Sequence, residues 1–224
     1  MKFYLLFLII ASHQLFGQTV RSSESLWDQI RLNSNLQYDS DRLEIKKAAD
    51  KYISNQYLIN RLSKNGQRYL YYTVKEGLRK NLPVELSLIP FVESQFDPYA
   101  RSATGASGIW QFIPSTAKEN GLKKNWWYDG RRDIVASTEA AYGFLTKLYE
   151  RYGDWLIAIA AYNAGPSRIR KEIEKNKKKG LPTDFWSLNL PRETRAYVPK
   201  ILAIVELIRN PDKFNIKLPF LPNR

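Results

Sequence analysis

The run Trp155-Leu-Ile-Ala-Ile-Ala-Ala-Tyr162 is apolar on every face of a helix. Such a helix has no side to give to water, so it must sit at the centre of a core with other elements packed around it. Asp154 stands where it can cap the first turn, and Gly165-Pro166 stops the segment. The remaining chain supplies covering helices. Residues 133–152 carry Ile134, Thr138, Ala141, Leu145 and Leu148 at helical spacing, and residues 193–209 carry Ile201, Ile204, Val205 and Ile208. Residues 67–80 form another amphipathic stretch, with Tyr69, Tyr71, Tyr72, Val74 and Leu78. Asn81 is the expected N-cap of the next helix, with Pro83 in its first turn. Residues 104–108 read as a Gly/Ser turn, and Ser115 opens a short helix. No stretch alternates convincingly with period two, so the fold class is all-α.

Before this set lies a more polar segment. Its candidate helices, 24–36 and 41–63, have only broken apolar stripes and predict a helical arm packed on a main domain. The expected division is a signal segment over 1–17, an arm over 18–69, a catalytic domain over 70–211 and a Pro-rich tail over 212–224. Lys2, the apolar run Phe3 to Ala11 and Gly17 before Gln18 give the pattern of an export signal. That run falls short of the roughly 20 residues a membrane-spanning helix needs. No cysteine follows it to carry lipid, so no stable membrane anchor is expected.

Composition removes several chemistries. The chain has no Cys, and its one His, His13, falls in the expected signal segment. The exported protein would have no histidine, which excludes Ser-His-Asp, Cys-His and His-ligated zinc catalysis. No cofactor is implied. The net charge of +13 favours an anionic partner. The densest run, Lys175 to Lys179, reads as a solvated loop or helix end, and no nucleic-acid motif accompanies it.

Glu93 stands out against this background. It closes the apolar run Leu-Ile-Pro-Phe-Val before Ser94. Burial there disfavours the carboxylate and raises its pKa, and a glutamic acid protonated near neutral pH can protonate a leaving oxygen. Three further clusters accompany it: Gly105-Ala-Ser-Gly-Ile-Trp-Gln111, Ala160-Ala-Tyr-Asn-Ala-Gly165 and Glu193-Thr-Arg-Ala-Tyr197. The amide of Gln111 can both donate to and accept from a sugar substituent. The glycines flanking that cluster are expected to let substrate approach the backbone, and Trp110, Trp126, Trp127 and Tyr128 offer faces for pyranose rings. Core packing is an equal alternative for Trp126 and Trp127. Asp97 reads as a turn residue, and Asp129 and Asp133 as ion-paired neighbours of Arg131-Arg132.

In order and spacing these four clusters resemble the soluble lytic transglycosylase catalytic domain of the lysozyme superfamily, closest to the catalytic part of the D-type membrane-bound enzymes, over about residues 70–211. The resemblance implies a lysozyme-like helical fold and peptidoglycan glycan strands as the partner. It implies Glu93 as a single general acid, then base. Trp110, Gln111, Tyr162, Asn163 and Tyr197 would lie at the site, with Ser102 donating to the carboxylate or substrate, or only capping a turn. The implied product carries a 1,6-anhydromuramoyl end. A hydrolytic muramidase on the same fold is the rival within the superfamily, and a non-catalytic peptidoglycan-binding scaffold the rival outside it. Glu193 is expected to hold Arg195 or a backbone group.

Overall fold

The computed structural model describes residues 25–224; the expected export signal lies outside them. Nine α-helices and three short 3-10 turns are present among the described residues, with isolated bridges in the loops and no strand. The central helix is α7 (Trp155–Ala164). Asp154 caps it, its carboxylate accepting from the Ile157 amide at 3.0 Å. Ala158, Ile159, Ala160 and Ala161 are fully buried, so every face of the helix is covered as its sequence demands. The cover comes from α6 (Ile134–Tyr152), α8 (Pro166–Lys178) and α9 (Arg192–Arg209). Asp133 caps α6 by accepting from the Ala136 amide at 2.9 Å. In α9, Ile201, Ile204, Val205 and Ile208 are all buried.

Four features depart from the sequence reading. The expected helix over 41–63 is two helices, α2 (Leu43–Ile53) and α3 (Gln56–Arg79), broken at Ser54-Asn55. Helix α3 runs unbroken across the expected 69/70 boundary. Asn81 is not an N-cap: with φ +55 it takes the left-handed position just past α3. There the Leu82 amide reaches the Gly77 carbonyl at 2.9 Å and the Asn81 amide reaches Leu78 at 3.0 Å, a Schellman closure. Pro166 does not merely stop α7. It occupies the first turn of α8, where its missing N–H costs nothing, and the lysine run ends that helix.

Arm and tail are woven into the main body. Helix α1 (Leu26–Asn33) begins at a capping box built on Ser25 and Asp28. The Leu26 amide donates to the Leu221 carbonyl at 2.8 Å and the Trp27 indole to the Pro219 carbonyl at 2.8 Å, strapping the tail over α1. Glu85, fully buried in the 3-10 turn Val84–Leu88, accepts from the amides of Asn35 and Leu36 at 2.8 and 2.9 Å. Tyr38 donates to Glu206 of α9 at 2.7 Å. Helix α2 packs along α9. Among the described residues no helix is long and apolar enough to cross a membrane.

Candidate active site

Glu93 lies on the last turn of α4 (Ile89–Ser94), a short helix started by Pro90. Gln95 and Phe96 follow with φ +54 and +60. Left-handed backbone costs a side-chain-bearing residue roughly 1–2 kcal/mol, and here it closes the helix at once. The Gln95 and Phe96 amides return to Phe91 and Pro90 at 2.9 and 3.2 Å, and the Phe96 ring is buried. The chain therefore leaves immediately after Glu93, which stays at a helix end facing a cleft of about 350 Å³. Ser94 ties that end to the next loop by donating to the Ile109 carbonyl at 3.0 Å.

The Glu93 carboxyl is half-buried. Burial raises its pKa from the ordinary 4.5 to about 7. The Tyr197 hydroxyl, donating to Oε1 at 2.5 Å, opposes the rise, as Lys200 does; Glu193 adds to it. Tyr197 is itself buried one turn into α9, and its own pKa is driven well above 10 by burial and by the Glu93 charge. Tyr197 keeps its proton and donates it in a hydrogen bond to the Glu93 carboxylate, and that donation favours the charged form. The carboxyl is thus poised near neutrality by two opposed effects.

The cleft is shared with Ser102, Gln111, Tyr162, Asn163 and Glu193. Gln111, at φ +51, spends its amide N–H donors on the carbonyls of Gly108 and Ala100 at 2.8 and 3.3 Å. Its oxygen is left for a ligand donor. Asn163 accepts from Thr194 at 2.8 Å, joining the end of α7 to the start of α9. Ser102 faces Thr104 at 2.8 Å and accepts from the Ala106 amide at 3.0 Å, so it caps a turn at the rim and makes no bond to Glu93. Tyr162 donates to the Trp110 carbonyl at 2.7 Å. Its pKa is also driven well above 10, by burial and then by the Glu93 charge.

Several residues stand differently from the sequence reading. Trp110 is not a sugar platform. Its ring is fully buried, edge-on to Tyr142 at 5.3 Å, and its N–H donates to Thr138 at 3.0 Å. Only its carbonyl reaches the site, through Tyr162. Trp126 and Trp127, in contrast, are 89% and 70% exposed. Gly108, at φ +82, makes room for protein, not substrate: a Cβ there would lie 1.7 Å from the Arg131 carbonyl oxygen. Glu193 makes no ion pair with Arg195 and is the second carboxylate lining the cleft. Asp97 holds its turn by accepting from the Tyr99 amide at 2.8 Å, and Asp129 pairs with Arg131 at 2.6 Å, but Asp133 is the α6 cap.

The sequence reading missed Arg131. This buried guanidinium donates to the Gly105 and Phe112 carbonyls at 2.7 and 3.2 Å, bracing both ends of the loop that carries Gln111. Its signal was an Asp129-x-Arg131 pair, which the sequence alone does not distinguish from a surface pair.

Membrane-bound lytic murein transglycosylase D of Escherichia coli (strain K12) is 40% identical over 208 residues, which is 91% of this chain and 45% of that protein. Soluble lytic murein transglycosylase of Salmonella typhimurium is 30% identical over 119 residues, 50% of this chain and 18% of that one. The chain thus spans less than half the length of either relative. Among solved structures, the 70 kDa soluble lytic transglycosylase of Escherichia coli superposes with a TM-score of 0.50 at 22% identity, over 81% of this chain and 32% of that chain; it has the same fold. The family model described as the Transglycosylase SLT domain matches residues 71–184, just over half of the sequence. With that match on the stretch that carries Glu93, Gln111 and Tyr162, the chain belongs to the transglycosylase SLT domain family.

Proposed function

We propose that this protein is a peptidoglycan lytic transglycosylase of the cell envelope, with Glu93 as its one catalytic acid and base. The observation that carries the reading is a half-buried carboxyl with a pKa of about 7, held by Tyr197 at the edge of a polar cleft. Protonated, Glu93 donates to the glycosidic oxygen between MurNAc and GlcNAc, and the C1–O bond breaks. The substrate's N-acetyl group supports the electron-poor C1. Glu93, now a carboxylate, removes the proton of the MurNAc 6-hydroxyl, whose oxygen attacks C1. Glu93 recovers its proton, no water is consumed, and the product ends in a 1,6-anhydro ring. One carboxyl suffices where most glycosidases use two.

Gln111 and Asn163 would orient sugar substituents, Tyr162 would shape the wall beside the acid, and Ser102 would meet the strand at the rim. The chain from α3 to residue 211 would form the catalytic domain, with α1, α2 and residues 212–224 as its brace. Glu193 gives the hydrolytic alternative a specific footing, because a second carboxylate on the cleft could activate water.

The test is digestion of purified peptidoglycan by the wild-type protein and by Glu93→Gln, with products read by mass spectrometry. Anhydromuropeptides, lighter by one water than hydrolysed fragments, should form only with wild type. Reducing-end fragments would replace this reading with a muramidase using Glu193. Equal products from the variant would remove Glu93 from the chemistry.

A further inference from the structure

Residues 123–130 close into a tight hairpin tip, and Asn125 and Gly130 are enough to make it. The Gly130 amide donates to the Lys123 carbonyl at 2.8 Å, and the Asn125 amide to the Tyr128 carbonyl at 2.8 Å. The Asn125 side chain accepts from the Trp127 and Tyr128 amides at 3.1 and 2.7 Å. A Cβ at Gly130 would lie 3.0 Å from the Lys123 carbonyl oxygen, so the two arms close tightly only over glycine. The base is fixed as well. Tyr128 donates to Asp133 at 3.1 Å, and Asp129 holds the buried Arg131 at 2.6 Å. The indoles of Trp126 and Trp127 add nothing to this frame. They stand edge-on to each other at 4.7 Å, 89% and 70% exposed. Two adjoining indoles held out on a braced turn cost free energy in water, and the turn needs neither.

Cations surround the tip. Lys123 and Lys124 lead into it, and Arg101 and Arg132 flank it. None of the four makes an ion pair among the described residues. The carboxylates beside them are committed inward: Asp129 to Arg131, and Asp133 to the Ala136 amide and Tyr128. A folded protein partner would have to offer a pocket shaped for both indoles, whereas a bilayer yields to a projecting tip anywhere on its surface. Indole rings favour the boundary between head groups and acyl chains, and lysine and arginine beside them meet anionic head groups. Contact through one such tip is shallow and reversible.

We propose that the Trp126-Trp127 tip is a lipid-insertion element that docks this protein on the surface of an anionic phospholipid bilayer. The test uses residues 18–224, which contain every described residue and omit the apolar run Phe3 to Ala11, itself able to bind lipid. Binding is measured by cosedimentation with vesicles of phosphatidylcholine and phosphatidylglycerol. Affinity should fall about tenfold or more with pure phosphatidylcholine, and about as far in Lys123→Ser/Lys124→Ser. It should fall about tenfold or more in Trp126→Ser/Trp127→Ser, whose changes are at exposed positions. Lipids brominated in their acyl chains should quench the tryptophan fluorescence of the bound wild type. Trp126→Phe/Trp127→Phe should still bind and should lose that quenching, which decides the matter even if the double serine variant fails to fold. No sedimentation, equal affinity for neutral vesicles or equal binding by the double serine variant would overturn the proposal. Quenching that persists in the double phenylalanine variant would also overturn it, because another tryptophan would then be the one in lipid. So would a double serine variant that loses affinity for chitooligosaccharide while binding vesicles as wild type does, which would assign the tip to glycan.

Discussion

Replacing Glu93 by glutamine should make the protein more stable, and only at the pH values where the carboxyl would ionise. The burial that lifts its pKa from 4.5 to about 7 is a cost borne by the folded state. At about 1.4 kcal/mol for each pKa unit, the cost reaches about 3 kcal/mol once the carboxyl is ionised in both states. Solvent entering the cleft screens part of it, so the expected figure is about 2–3 kcal/mol. The sign follows from proton counts. Below pH 4.5 folded and unfolded chains both hold the proton, and there is no penalty. Between 4.5 and about 7 the unfolded chain releases it while the folded one keeps it, so stability falls as pH rises; above 7 the penalty is complete. Glutamine never ionises and can still accept from Tyr197. Urea unfolding of both proteins across this range, compared as a difference, cancels every other titrating group. The variant's advantage should be near zero at the acid end and grow to about 2–3 kcal/mol near pH 8, which in thermal unfolding corresponds to a midpoint gain of roughly 4–12 °C for a chain of this size. A difference that stays flat with pH would refute the burial account of Glu93.

Other substitutions probe the surroundings. Tyr197→Phe removes the donor that favours the carboxylate. At about 1.5–3 kcal/mol for a hydrogen bond to a charged group, the alkaline limb of kcat/KM should move up by roughly 1–2 pH units; an unmoved limb would mean the bond is idle. Gly108→Ala drives a methyl into the Arg131 carbonyl and strains a positive φ, so it should cost about 3 kcal/mol or more in thermal unfolding. An unchanged midpoint would contradict this. Trp110→Phe loses the bond to Thr138 and leaves a small void, lowering stability by about 2 kcal/mol. Because the ring is buried, KM for glycan should hold; a large rise in KM would return Trp110 to the binding surface.

Where the sequence was legible, a residue's role was local. The all-round apolar run of α7 admits only a central position, and Asp154 can hardly do other than cap it. Glu93 was legible because an acid closing a buried run has few bland explanations. Misreadings came where one residue type serves two backbone states. Asn81 is as good in the left-handed position after a helix as at an N-cap, and only the Leu82–Gly77 bond decides between them. Pro166 both ends α7 and begins α8, and beyond Ile169 and Ile173 α8 offers no apolar side chain to mark it as a helix. Trp110 and Arg131 are set by partners far away in sequence: Thr138 and Tyr142 for one, Gly105 and Phe112 for the other. No periodicity carries that information.

Single-acid chemistry at Glu93 requires that its carboxyl stay protonated close to neutral pH, so that it can give a proton and take it back. The most direct measurement is an NMR titration of the side-chain carboxyl carbons in protein labelled at glutamate, with Glu93 assigned by the signal lost in Glu93→Gln. The expected midpoint is near 7, rising further in Tyr197→Phe. A midpoint near 4.5 would show an ordinary solvated carboxylate at the cleft, and single-acid chemistry at Glu93 would have no physical basis.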